Sequence, residues 1–242
     1  MVAGLDFDIL KQKPTWQAFG VAIVLFSIIG YSSLTLFGLS AATYGTTDEI
    51  EPVADFEVLT MQRDGIDDTI PLRDGYIRLS DLQGSVVVLD FMAVDCSNCH
   101  YVQEHIDQNL DDWKSLDGDY PIVAISIASW YSYESFEQIN STFGDQSSNR
   151  HMPWPVANGA SDSILLEDGA RGDLIEYYSA QALPLALVID HEGFVVAKEN
   201  TGTPLDGWNE FDNAIEKASE GKAQSLRIGI EKADRSIQGV FI

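Results

Sequence analysis

Ser85–Gln103 reads SVVVLDFMAVDCSNCHYVQ, and its two halves follow different periodicities. Ser85–Val94 is a nearly continuous apolar, β-branched run, the composition of a strand buried on both faces of a sheet. After the cysteines, apolar and aromatic residues fall at Val102, Ile106, Leu110 and Trp113, close to helical spacing. Between strand and helix lie Cys96 and Cys99, the only two cysteines in the chain. If the helix begins near Cys96, that thiol meets the free N–H groups of a helix N-terminus, which favour a thiolate. Cys96 is then the exposed nucleophile, and Cys99, one turn on, the sheltered thiol that resolves a mixed disulfide.

Working outward, Asp55–Met61 and Tyr76–Leu82 alternate as strands do, and Tyr120–Ala128 is a second central strand. SYESFEQINSTF reads as a helix opened by Ser132, and Trp154–Ala157 as a short strand. Asp173–Ala180 reads as a short helix. Leu185–Asp190, a His-Glu-Gly turn and Phe194–Glu199 form a hairpin, and Asp206–Ala218 is a closing helix. Strands alternating with helices, then a hairpin and a helix, predict a three-layer α/β sandwich.

The ends carry different signals. No charged residue occurs from Pro14 to Thr47. Trp16–Leu39 is long and apolar enough to cross a bilayer, which takes about 20 residues. Lys11 and Lys13 precede this run, while Asp48, Glu49 and Glu51 follow it, predicting a cytoplasmic N-terminus and an extracytoplasmic remainder. Small residues at Ser40, Ala41 and Ala42 leave a cleaved signal peptide as the competing reading. The expected organisation is a cytoplasmic N-terminus (1–15), a transmembrane anchor (16–44), a linker (45–52), an α/β domain (53–218) and a C-terminal helical tail (219–242). That tail ends on an apolar GVFI, suited to docking on the domain or to contact with a membrane partner.

Lys and Arg number 14 against 38 Asp and Glu, for a formal net charge of -24. A surface this acidic repels phosphate backbones, which argues against nucleic acid as a partner. No Asp-rich EF-hand loop and no G-x-S-x-G elbow occurs in the sequence.

Two blocks carry a family resemblance: VVVLDFMAVDCSNC (Val86–Cys99) and, downstream, LPLALVIDHEGFVV (Leu183–Val196). In this order they resemble the thioredoxin superfamily, and more narrowly its membrane-anchored TlpA-like thiol–disulfide oxidoreductases, over roughly 53–218. The resemblance implies a thioredoxin-like sandwich with a central mixed β-sheet, preceded here by the N-terminal transmembrane helix. It makes Pro184 the cis-proline that lies against the sulfurs and helps bind an extended client. It makes Asp90, six residues before Cys96, the buried acid that handles the proton of Cys99. The catalytic set so implied is Cys96, Cys99, Asp90 and Pro184, with no bound cofactor. The implied partners are client proteins with cysteines or disulfides and a membrane-embedded electron donor.

Departures from the family pattern are Asp95 where Trp is usual, Ser97-Asn98 without proline, and Leu183 before Pro184. A carboxylate at Asp95 disfavours a neighbouring thiolate, which makes the dithiol a better reductant.

Other readings stand beside this one. C-x-x-C followed by His100 is also the attachment motif of a c-type haem, with His100 as one axial ligand and Met152 or Met92 as the other. The two cysteines with His100, His105, His151 and His191 lack the paired spacing of a closed zinc site. A thioredoxin-fold module that only binds partners is the non-enzymatic alternative. The aromatic segments Ser129–Phe136 and Met152–Pro155 are candidate client contacts, or packing of loops on the core.

Overall fold

The computed structural model of the protein describes residues 52–61, 70–166 and 169–225. The anticipated cytoplasmic terminus, anchor and most of the linker lie outside these residues, as does the tail from 226 onward. Among the described residues no helix is long and apolar enough to cross a membrane.

Among the described residues nine strands form a mixed sheet: β1 (Asp55–Thr60), β2 (Tyr76–Arg78), β3 (Val86–Met92), β4 (Ile122–Ala128), β5 (Val156–Asn158), β6 (Ile164–Leu165), β7 (Arg171–Gly172), β8 (Leu185–Ile189) and β9 (Val195–Glu199). Their spatial order is β7-β6-β1-β5-β4-β3-β8-β9, with β2 paired to β1. The helices are α1 (Cys99–Lys114), α2 (Phe136–Ile139), α3 (Leu174–Tyr177) and α4 (Asn209–Ser219).

β3 explains its own composition. It pairs with β4 in parallel and with β8 in antiparallel fashion, and all seven of its residues are buried. Alternation then divides its side chains between two cores. Val86, Val88 and Met92 face a core shared with Val102, Ile106, Leu110 and Trp113 of α1 and with Phe211, Ile215 and Ala218 of α4. Val87, Leu89 and Phe91 face the other, closed by Leu174 and Ile175 of α3, by Tyr178, and by Leu79 and Leu82. The β3–α1–β4 crossover followed by the β8–β9–α4 unit is a thioredoxin-like α/β arrangement around a mixed sheet.

Three local expectations shift. Tyr76–Leu82 keeps strand geometry only to Arg78 and then tightens into a 3₁₀ turn over Leu79–Leu82. The Asp55 carboxylate accepts from both the amide and the hydroxyl of Ser80, drawing the chain off the ladder while Leu79 and Leu82 reach the core together. The helix assigned to Ser132 begins instead at Phe136, because Ser135 caps it by accepting from the Gln138 amide. It then widens into a π-turn over Asn140–Gly144. The third shift concerns the helix after the cysteines, which begins at Cys99 and not near Cys96.

Candidate active site

The chain leaves β3 at Met92 and reaches α1 through a short turn. The Cys99 amide bonds to the carbonyl of Cys96, that of His100 to Ser97 and that of Tyr101 to Asn98, each a three-residue step that tightens the helix entry. Cys96 therefore sits just ahead of α1 and not inside its first turn. Its sulfur still lies 3.2 Å from the Cys99 amide, so it faces the helix N-terminus as the spacing anticipated. The two cysteines are joined as a disulfide. Both cysteines are buried, Cys96 keeping 7% of its surface exposed and Cys99 0%, so Cys96 is the less sheltered sulfur and not the exposed thiol that the sequence reading expected.

Asp90 is completely buried on the central strand, not at a strand edge facing solvent. Alternation along β3 puts its side chain on the face of Val88 and Met92, the face whose core includes Cys96 and Cys99. Ser126 stands directly opposite on β4 and donates its hydroxyl to Asp90 Oδ2 at 2.8 Å. The indole N–H of Trp154 donates in turn to Ser126 Oγ at 2.9 Å. Among the described residues Asp90 Oδ1 has no hydrogen-bond partner. Burial pushes the Asp90 carboxyl up to about 7, against the opposing pull of the Ser126 bond.

Pro184 follows Leu183 through a cis peptide bond, as the second sequence block implied. Gly202, in the loop after β9, ties it to the cysteine turn. A Cβ on Gly202 would lie 2.6 Å from the Asn98 carbonyl oxygen and 3.3 Å from Pro184 Cγ, at a backbone φ of +75°. Only glycine fits a position that is both left-handed and this crowded. The proline, Gly202 and the C-x-x-C turn are thus packed edge to edge.

Two further side chains hold the turn from the other side. Glu134, buried in the segment between β4 and α2, accepts from the Val94 amide at 2.8 Å and the Asp95 amide at 3.4 Å. Arg150 donates to the Val94 carbonyl at 2.7 Å, with its guanidinium 4.7 Å from the Phe143 ring centre. Burial raises the Glu134 carboxyl above the ordinary range, partly offset by its two amide bonds. Asp95 itself is exposed. His100 is exposed as well, and partial burial, then the Arg150 charge, lower its basicity.

Two of the other histidines are occupied elsewhere. His105 stacks on Trp208 and bonds to Asp212, while His191 stacks on Tyr120. Of the aromatic segments, Met152 and Trp154 are buried, so the second segment is packing and not client surface. Tyr133, 88% exposed and adjacent to Glu134, stays available, as does half-exposed Tyr101 on the first turn of α1.

Sequence reading named Cys96, Cys99, Asp90 and Pro184; it did not single out Ser126, Glu134, Arg150 or Gly202, and it placed Trp154 only in a short strand and a candidate client segment. Ser126 did leave a signal, as the one polar residue in the apolar run IVAISIA. Glu134 and Arg150 left none, because their roles are bonds to backbone atoms distant in sequence.

No protein-family profile matches the chain, and no curated protein does. Among solved structures, the pneumococcal exposed lipoprotein thioredoxin of Streptococcus pneumoniae is 22% identical, covering 68% of this chain and 99% of that one, with a TM-score of 0.43. The thioredoxin domain of a thiol-disulfide oxidoreductase from Bacteroides vulgatus is 19% identical, covering 70% of this chain and 96% of its own, with a TM-score of 0.44. BsSco, a member of the Sco family of cytochrome c oxidase assembly proteins, is 14% identical over 72% of this chain and 98% of that chain, with a TM-score of 0.41. Identities this low say nothing of shared activity, which has to be read from the residues themselves.

Proposed function

We propose that the protein is a thiol–disulfide oxidoreductase that reduces disulfides in client proteins. The observation that carries this reading is the fully buried Asp90 on the same sheet face as the less sheltered Cys96 and the fully buried Cys99. A purely structural disulfide has no use for a buried acid on its side of the sheet, and burying one without an ion-pair partner costs stability.

In the reduced protein, the Cys96 thiolate attacks one sulfur of a client disulfide. A Cys96–client bond forms, and the client's other sulfur leaves as a thiolate. Cys99 gives its proton to Asp90, and its thiolate attacks Cys96 Sγ. The Cys96–Cys99 disulfide forms, the second client sulfur is released, and Asp90 returns the proton to it. Two electrons pass to the client. A second dithiol protein, the expected membrane-embedded donor, restores the reduced pair. Pro184, packed through Gly202 onto the cysteine turn, and exposed Tyr101 and Tyr133 supply the client surface.

The direction rests on Asp95, whose charge next to Cys96 disfavours the thiolate and so destabilises the reduced form. The charge-free run from Pro14 to Thr47 supports a retained anchor with the domain outside the cytoplasm. Labelling of the reduced cysteines in intact cells by a membrane-impermeant maleimide tests that placement; protection until lysis refutes it.

The activity is tested by single-cysteine variants incubated with a disulfide-bonded protein such as insulin. Cys99→Ser accumulates a mixed disulfide through Cys96, Cys96→Ser accumulates none, and the parent turns over with a dithiol recharger. Absence of both adduct and turnover overturns the proposal in favour of a module that only binds. A redox titration of the Cys96–Cys99 pair fixes direction: a reductant lies near or below about -230 mV, an oxidant near about -120 mV.

A further inference from the structure

Two residues with no assigned part in that chemistry are linked to Asp90 by a chain of two hydrogen bonds. An indole N–H donates and cannot accept. Ser126 Oγ, 2.9 Å from Trp154 Nε1, must therefore be the acceptor in that contact. The serine's single hydrogen is then left for Asp90 Oδ2 at 2.8 Å. The chain runs one way, from Trp154 through Ser126 to Asp90. A proton placed on Oδ2 would point at the serine's own hydrogen, so Oδ2 is kept as an acceptor.

The alignment is built into the backbone. Asp90 and Ser126 are register partners on adjacent parallel strands, so their side chains leave the same face. The Ser126 amide also donates to the Pro155 carbonyl at 3.0 Å, which holds the Trp154 segment against β4. Trp154, Ser126 and Asp90 are all buried, so water does not compete for these bonds.

We infer that Ser126 and Trp154 are positioning residues that hold Asp90 by Oδ2 and reserve Oδ1 as the oxygen that takes and returns the Cys99 proton. This rests on the oxidoreductase reading above and adds to it. Asp90 is flanked by its register partners Ser126 on β4 and Ala186 on β8, and its side chain lies on the sheet face whose core includes Cys96 and Cys99. Among the described residues no charged group shifts its acidity: burial holds the carboxyl up and the Ser126 bond pulls it down. Among the described residues Ser126 is the hydrogen-bond donor that pulls against burial in setting when Asp90 gives up its proton.

The test follows the pH dependence of the resolving step, the release of a client-like thiol from a preformed Cys96 mixed disulfide in the full chain. It is paired with ¹³C NMR titration of the Asp90 carboxyl. In Ser126→Ala both inflections move upward by about one pH unit, the size expected for losing one hydrogen bond to a charged group. Trp154→Phe, which frees the serine hydroxyl to turn away, moves them in the same direction by less. Ser126→Thr, which keeps the hydroxyl, returns them to the parent value. A folded Ser126→Ala protein with unmoved inflections overturns the inference while leaving the oxidoreductase reading intact. If the parent resolves no mixed disulfide, that reading fails, and the NMR titration alone decides whether Ser126 governs Asp90.

Discussion

Replacing Asp90 with asparagine should stabilise the protein, and by an amount that depends on pH. Asp90 titrates at about 7 against an ordinary 3.8, because burial penalises its charged form. Below about pH 3 the carboxyl is largely neutral in both the folded and the unfolded chain, and its ionisation has little effect on stability. Between the two values the unfolded chain has lost the proton that the folded chain retains, so stability falls as pH rises, by about 1.4 kcal/mol per pH unit. Above about pH 7 the loss is complete and amounts to about 4 kcal/mol. Asp90→Asn abolishes it, since an amide stays neutral, and its oxygen still accepts from Ser126. The variant should match the parent within about 1 kcal/mol at pH 4 and exceed it by up to about 4 kcal/mol at pH 8.5. The assay is urea unfolding of both proteins as disulfides from pH 4 to pH 9, because urea leaves electrostatic effects unscreened and oxidised cysteines do not titrate. A stability difference that stays flat across this range would refute the reasoning, since it would mean that Asp90 is not buried as an acid.

Two other substitutions probe the frame around the cysteines. Gly202→Ala forces a Cβ to within 2.6 Å of the Asn98 carbonyl at a left-handed backbone, and should cost about 2–4 kcal/mol in urea unfolding. It should also slow reaction of the reduced protein with a small disulfide; parent-like values in both measurements would show that the turn yields freely. Glu134→Ala leaves the Val94 and Asp95 amides without their acceptor at a cost of about 1–3 kcal/mol. Amide hydrogen exchange should accelerate at Val94 and stay slow at Val88 in the middle of β3; uniform acceleration would point to general destabilisation.

The parts of this molecule that were legible in sequence are those set by local pattern. The run VVVLDFM declares a strand covered on both faces, because only such a strand carries apolar residues at every position. α1 declares its buried stripe through Val102, Ile106, Leu110 and Trp113. Pro184 and Asp90 were found through their place in two family-like blocks, and burial of Asp90 and the cis bond at Pro184 agree with that reading. What stayed hidden depends on contacts between distant segments. Met152 and Trp154 look like surface residues of a loop beside two prolines, yet Trp154 is buried against β4 because Ser126 offers its indole a partner. The helix start moved from Cys96 to Cys99 because the entry turn closes through three-residue bonds, a choice that composition alone does not encode. Glu134 reads as one acid among 38, and only its bonds to amides forty residues earlier distinguish it.

The cysteine turn is fastened from three directions by groups outside its own helix: Glu134, Arg150 and Gly202. Surface connections ordinarily tolerate added or deleted residues, since little depends on their length. Here the segments 129–155 and 200–208 act as measured spacers, each setting where one fastening lands. A single-residue insertion in either would leave the sheet intact yet shift the seat of the disulfide. The seat of the disulfide is thus tied to the lengths of these two connections more than to their surface composition.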